Sequence, residues 1–335
     1  MEEIAVSPKQ KIAAPPAVAL SVANYITGLH KQFGNEIVHL VTEDVVADVP
    51  VVPTGIPALD LALGCGGIPK GRVIEIYGPE MSGKTSLALQ IVAQAQKDGG
   101  FAHFIDAEHA LDLQYAQKLG VDLSRLPITQ PDNGEQALEV AEFAVNNGAT
   151  VVVVDSVAAL VPKAEIEGDM GDAQMGLQAR LMSQAMRKLV GIAEKAGCMI
   201  IFINQIRMKI GVVYGNPETT TGGHALKFYA SVRIEIRKGS PLKKADKEDP
   251  YGQETKVKIV KNKCAPPFRT CVFDLIYGEG FDTLKSLIDV AVDRGVLEQA
   301  GAWIKYKDDK WQGLNAAKEA LLKDQAKLAE IVEAL

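Results

Sequence analysis

Four consecutive valines, Val151–Val154, closed by Asp155, constrain the fold more than any other stretch of the chain. A strand turns successive side chains to opposite faces, so an apolar run without polar alternation must be buried on both sides. That requirement predicts an α/β fold with a mostly parallel sheet and helices on both faces. Other runs agree with it. Val73–Tyr77, Ala102–Asp106 and Met199–Asn204 read as further buried strands. Helices are expected between them: through about Lys97 after the first strand, from Gly134 to Asn146, and from Leu177 to Ala196. The pattern then changes. Ser231–Arg237 and Lys256–Lys261 alternate, as antiparallel strands with one exposed side do. Val18–Phe33 carries Leu20, Val22, Ile26 and Leu29 at helical spacing, with Gly34 as a stop. The tail from Thr283 to Leu335 looks mainly helical and reads as a separate small module.

The 335 residues exceed one minimal core and suggest one large domain with smaller attachments. With 47% hydrophobic and 23% charged residues, the composition is that of an ordinary globular chain and excludes broad disorder. The net charge of -6 does not announce a polyanionic partner. It hides an asymmetry. Lys227 to Arg269 holds twelve basic and five acidic residues, a local +7 that leaves -13 for the remainder. Such a segment suits a polyanion or a solvated sheet edge, and charge alone leaves both open. Cys65, Cys198, Cys264 and Cys271 lack the two-residue spacing of a zinc site, so reduced thiols and a cytoplasmic location are expected. No apolar run reaches the ~18 residues needed to span a bilayer. The start of the chain, with Glu2 and Glu3, does not read as a signal peptide, and Ala13–Ala17 reads as a flexible lead-in.

Gly78-Pro79-Glu80-Met81-Ser82-Gly83-Lys84-Thr85 matches the GxxxxGK[ST] phosphate-binding loop in full, with Ser86 directly after it. A strand is expected before it and a helix after it, as the motif requires. Backbone N–H groups of such a loop point at phosphate oxygens, and the helix adds the positive end of its dipole. Lys84 is expected to reach the β- and γ-phosphates of ATP, and the Thr85 hydroxyl to ligate Mg²⁺. Asp155, at the end of the valine strand, fits the Mg²⁺ shell as a partner through water. A hydrolase also needs a group that orients water. Glu108 in Phe104-Ile-Asp-Ala-Glu-His is the candidate, with Asp106 and His109 open on composition alone.

With these pieces in order, the sequence resembles the RecA family of recombinases from about Leu29 to Leu335. The resemblance is carried by Gly78–Thr85, Ile105–Asp112, Val151–Leu160, Glu165–Leu177 and Asn204–Ser231. It implies that Glu108 activates water and that Asp112 and Tyr115 contact adenine. It implies that Gln205 links the γ-phosphate to a DNA-binding loop. Lys261 and Lys263 would be inserted across the nucleotide by a neighbouring subunit. Two segments resemble DNA-binding loops, near 167–176 and 206–221. Met175, Gly176, Arg180, Arg207, Lys209, Gly222 and Gly223 are the implied DNA contacts, with Met175 and Ile210 as wedges between base steps.

The implied organisation is an N-terminal extension and oligomerisation helix over 1–45, an ATPase core over 46–282 and a small α+β C-terminal domain over 283–335. The implied activity is ATP hydrolysis to ADP and phosphate, coupled to helical filaments on single-stranded DNA. Pairing with homologous duplex and strand exchange follow, with self-cleavage of an SOS-type repressor and contact with single-strand-binding protein as further implied partnerships. A hexameric ring motor and an accessory paralogue without strand exchange are the alternatives. Three departures stand out. His224 occupies a place where the family usually has asparagine, and Met81 replaces a small polar residue. Residues 318–335 mix Lys and Glu instead of forming an acidic run, which implies readier loading onto duplex DNA.

Overall fold

The computed structural model describes residues 16–34, 49–169, 176–209, 211, 215, 217–244 and 248–335. It divides into two compact units, Met1–Asp48 and Val49–Leu335. In the first unit the described residues form the helix Pro16–Phe33. Gly34 ends it with φ +87 and donates its N–H to His30 O at 3.0 Å. A left-handed glycine is the expected stop at this position.

The second unit is built on one sheet of ten strands among the described residues. In chain order these are β1 Val73–Gly78, β2 Ala102–Asp106, β3 Ile128–Thr129, β4 Val151–Asp155 and β5 Met199–Met208. Then follow β6 Glu218–Thr220, β7 Val232–Leu242, β8 Gly252–Asn262, β9 Thr270–Ile276 and β10 Gly280–Phe281. Across the sheet the order is β10-β9-β8-β7-β1-β5-β4-β2-β3, and β6 pairs with β5 off this path. From β7 to β3 every neighbour is parallel. From β7 to β10 every neighbour is antiparallel. β7 is therefore the turning point. Its alternation reads as antiparallel in sequence, yet one of its edges is paired in parallel with β1.

Two apolar clusters cover the sheet faces. One joins Ile74, Ile76, Leu87, Ile91, Phe104 and Val153. The other joins Val152, Val154, Met186, Leu189, Ile200 and Phe202. Alternate valines of β4 thus enter opposite clusters, which is why the run carries no polar residue. The helices expected from periodicity form as Lys84–Lys97, Gly134–Asn146 and Leu177–Ala196.

Helices make up most of the tail, and it also holds the strands that an α+β domain implies. Between helix Thr283–Asp293 and helices Gly313–Lys323 and Gln325–Glu333 lies a three-stranded antiparallel sheet: Glu298–Ala300, Trp303–Tyr306 and Asp309–Gln312. Only one face of it is buried, through Ile304 and Tyr306, in a core shared with Ile288, Leu297, Leu321 and Ile331. Short strands that carry Lys305 and Lys310 give little periodic signal.

Candidate nucleotide site and DNA-side loops

The phosphate-loop segment leaves the carboxyl end of β1 and turns into helix Lys84–Lys97. A Cβ at Gly78 would lie 2.0 Å from Ile236 O, so no larger residue fits there. Gly83 enters the helix with φ +95. Lys84 Nζ donates to Pro79 O at 2.7 Å and Gly78 O at 3.2 Å, while Ser82 Oγ donates to Pro79 O at 2.8 Å. Burial lowers the Lys84 pKa, against the pull of Asp155, Glu108 and Glu80. Met81 and Glu80 lie on the exposed side of the turn.

Thr85 Oγ1 donates to Asp155 Oδ2 at 2.7 Å. Burial raises the Asp155 pKa to about 6. Among the described residues no group of three or more His, Cys, Asp or Glu side chains forms a metal cage. The hydroxyl and carboxylate pair instead suits a hard cation that completes its shell with phosphate oxygens and water, as Mg²⁺ does.

Glu108 follows β2. Its backbone is pinned to the valine strand, because Ala107 N and Glu108 N both donate to Asp155 O, at 2.8 and 3.3 Å. Glu108 Oε1 accepts Gln205 Nε2 at 2.7 Å and also the Ser156 hydroxyl. Asp106 is engaged otherwise. Its carboxylate accepts Ala110 N at 3.1 Å, Leu111 N at 3.3 Å and Gln130 Nε2 at 3.1 Å, which shapes the loop after β2. His109 sits exposed at φ +56 in that loop.

Beside the phosphate loop a cavity of about 400 Å³ is lined by Met81, Ser86, Asp112, Tyr115, Lys118 and Tyr277. Asp112 caps helix Leu113–Lys118 by accepting Tyr115 N at 3.0 Å, and Tyr115 OH donates to Ser86 Oγ at 3.0 Å. Tyr277 belongs to this wall, and Gln253 bonds to it; no sequence motif marks either residue. Tyr277 OH donates to Gln253 Oε1 at 3.2 Å, and Gln253 Nε2 donates to Met81 O at 3.2 Å. Only the pairing of β8 with β9 brings them together, so no local motif marks them.

Lys261 and Lys263 lie elsewhere. Lys261 pairs with Arg233, and Arg233 pairs with Glu75, three residues before Gly78 on β1. At about 3.3 Å per residue, that is roughly 10 Å from the loop measured along the strand. Lys261 Nζ donates to Phe228 O at 2.6 Å and Lys227 O at 2.9 Å. Burial lowers its pKa, and Lys263 adds repulsion. Lys263 is exposed.

The DNA-side residues divide similarly. Met175 and Ile210 lie outside the described residues. Gly176 precedes helix Leu177–Ala196 with φ +83, and Arg180 is exposed on its first turn. β5 runs past its buried half, and its outer arm pairs Ile206, Arg207 and Met208 with Thr220, Thr219 and Glu218. Arg207 and Lys209 are exposed on that arm. Gly222 and Gly223 return the chain to the core at φ +77 and +75, and Gly222 N donates to Gln178 Oε1 at 3.2 Å. The His224 ring lies 6.5 Å from that of Phe228.

A parallel sheet with this loop at the end of an inner strand defines a P-loop nucleotide-binding protein. The RecA N-terminal domain family matches residues 20–282, and the RecA C-terminal domain family matches residues 285–335. Protein RecA of Chloroherpeton thalassium is 57% identical over 320 residues, covering 95% of this chain and 88% of that protein. Protein RecA of Geobacter metallireducens is 59% identical over 309 residues, 91% of each chain. Protein RecA of Acinetobacter baumannii is 59% identical over 292 residues, 87% of this chain and 83% of that one. The chain belongs to the RecA family. Membership supports a role in DNA recombination and repair with binding of ATP and DNA. No helix among the described residues is long and apolar enough to cross a membrane.

Proposed function

We propose that the chain is an ATP-dependent recombinase that assembles helical filaments on single-stranded DNA, pairs it with homologous duplex and exchanges strands. The observation that carries the reading is the 2.7 Å bond from Gln205 to Glu108. It joins the carboxylate beside the phosphate loop to the strand that continues as the DNA-side hairpin.

In this reading Lys84 and the loop amides hold the ATP phosphates. Tyr115 and Asp112 flank the adenine. Thr85, and Asp155 through water, would hold Mg²⁺, which would supply positive charge against the phosphate oxygens. Glu108 takes a proton from water as its oxygen attacks the γ-phosphorus. The bond to the bridging oxygen breaks, and ADP leaves with the electron pair. Lys261 and Lys263 act on a neighbouring chain's nucleotide, where cations stabilise the charge that develops in transfer. Their position away from this chain's own loop supports that assignment. Arg180, Arg207 and Lys209, with Gly176, Gly222 and Gly223, face the DNA backbone. Contacts of this kind position a strand without reading its sequence. Met175 and Ile210 are assigned to base-step wedging. Hydrolysis loosens the filament. Stimulated self-cleavage of an SOS-type repressor, contact with single-strand-binding protein and a cytoplasmic location belong to the same proposal. So does the division at 45/46 and 282/283.

Strand exchange between a single-stranded circle and a homologous linear duplex tests it, with Lys84→Ala as control. Joint molecules and helical filaments by electron microscopy are expected from the wild type only. Closed rings without filaments would favour a ring motor. No exchange under any nucleotide would favour an accessory role.

A further inference from the structure

A closed set of buried side chains lies behind the DNA-side hairpin and outside the nucleotide contacts. Glu75, in the middle of β1, is fully buried. Its Oε2 accepts Arg233 Nε at 2.5 Å, and its Oε1 accepts Asn204 Nδ2 at 2.9 Å. The Arg233 guanidinium also lies over the Tyr77 ring, 4.7 Å from its centroid. Asn204 is fully buried at the last inner position of β5.

Every hydrogen-bonding direction of the Asn204 amide is used. Nδ2 donates to Glu75 and to Thr221 O at 3.2 Å. Oδ1 accepts Gln205 N at 2.8 Å and Thr221 Oγ1 at 2.5 Å. An amide offers two donors and two acceptor sites, so none is left to absorb a shift. The partners matter more than the number. Gln205 begins the outgoing stem of the hairpin, and Thr221 ends the returning stem. One side chain therefore holds both stems, and Glu75 holds that side chain to the strand that becomes the phosphate loop.

Burying an ionised pair in a sheet is a poor source of stability compared with apolar residues of similar size. It is a good source of fixed geometry, because a guanidinium and a carboxylate meet in few arrangements. Glu75 interrupts an otherwise apolar strand, and packing of the core gives no reason for it.

We propose that Glu75 and Asn204 are positioning residues that couple the DNA-side hairpin to Glu108. The inference rests on the recombinase reading, in which that hairpin meets DNA. A displacement of Thr221 disturbs the amide that fixes the Gln205 backbone. Gln205 then moves relative to Glu108, and the rate of hydrolysis changes. The path runs through hydrogen bonds alone and needs no change in the β1–β5 register.

The test is the ratio of ATP hydrolysis rates with and without single-stranded DNA, measured on the full chain. Asn204→Asp turns two donors into acceptors facing Glu75 and Thr221 O, and should reduce the ratio by about ten-fold or more. Thr221→Val keeps the shape and deletes one donor, and should reduce it about three- to ten-fold. The loss should appear in kcat with DNA present, with KM for ATP moving less than about three-fold. The double variant should be no worse than Asn204→Asp alone. If Asn204→Asp does not fold, Thr221→Val decides alone. A wild-type ratio in Thr221→Val, or a loss confined to KM, overturns the coupling. A wild-type chain whose hydrolysis ignores DNA overturns the recombinase reading itself, and this inference with it.

Discussion

Replacing Gly223 with alanine should destabilise the chain by a predictable amount. Gly223 holds φ +75, and an added Cβ would stand 2.7 Å from Ala179 Cβ. Two costs combine. A left-handed conformation costs an L-residue about 1–2 kcal/mol. Forcing a methyl into an occupied site costs about 1–3 kcal/mol more. Gly223→Ala should therefore lose about 2–5 kcal/mol. Gly197 supplies the control. It ends the same helix that carries Ala179, with φ +65 and nothing within 4 Å of an added Cβ. Gly197→Ala should lose only the conformational part, about 1–2 kcal/mol. Ala179→Gly removes the clashing methyl at a cost of about 1 kcal/mol in the helix. The Gly223→Ala/Ala179→Gly double variant should then be more stable than additivity allows by about 1–3 kcal/mol. Urea unfolding followed by far-ultraviolet circular dichroism measures all four proteins. Equal losses for Gly223→Ala and Gly197→Ala, with an additive cycle, would refute the packing argument. The glycine would then matter for backbone freedom alone.

Two further outcomes follow from other sites. Burial raises the Asp60 pKa to about 6, while its Oδ1 accepts Thr54 N at 2.8 Å. The folded chain keeps that proton to higher pH than the unfolded chain, so stability should fall as pH rises from about 4 to about 6. Asp60→Asn keeps the acceptor oxygen, should lose that slope, and at neutral pH should gain up to about 3 kcal/mol; parallel stability profiles for the two proteins in urea titrations across pH would contradict this. Mixing Lys84→Ala with a Lys261→Ala/Lys263→Ala chain should hydrolyse ATP faster than either alone, because about one interface in four becomes whole at random. No gain on mixing would place the lysines outside the shared site.

Much of the core was legible because each buried strand had to satisfy two faces. β4 shows this most plainly, with its valines entering opposite clusters. Legibility failed where one strand serves two environments. β5 extends beyond its apolar run to Met208 because β6 pairs with its outer arm. β7 alternates, yet pairs in parallel on its inner edge. Glu75 looks like a polar interruption until Arg233, far away in sequence, lies beside it. Asp106 and Glu108 are equivalent on composition. The loop amides that donate to the first, and Gln205 donating to the second, separate them. Tyr277 had no signal at all, since its place in the cavity wall comes from an antiparallel pairing at the far end of the sheet.

The hydrogen bonds of Lys261 bear on how a polymer of this chain would grow. Its ammonium sits on the carbonyls of Lys227 and Phe228, in the last turns of helix Ala225–Tyr229. In the proposed filament it would have to leave them to reach a neighbour's phosphate, so joining two subunits would exchange acceptors instead of simply adding bonds. A charged hydrogen bond of this kind contributes about 1–3 kcal/mol, enough to change an association constant by one or two powers of ten. That short helix begins after Gly222, Gly223 and His224, which follow the returning stem of the hairpin. Its grip on one lysine would act as a brake on elongation, and anything that loosens the helix would ease it.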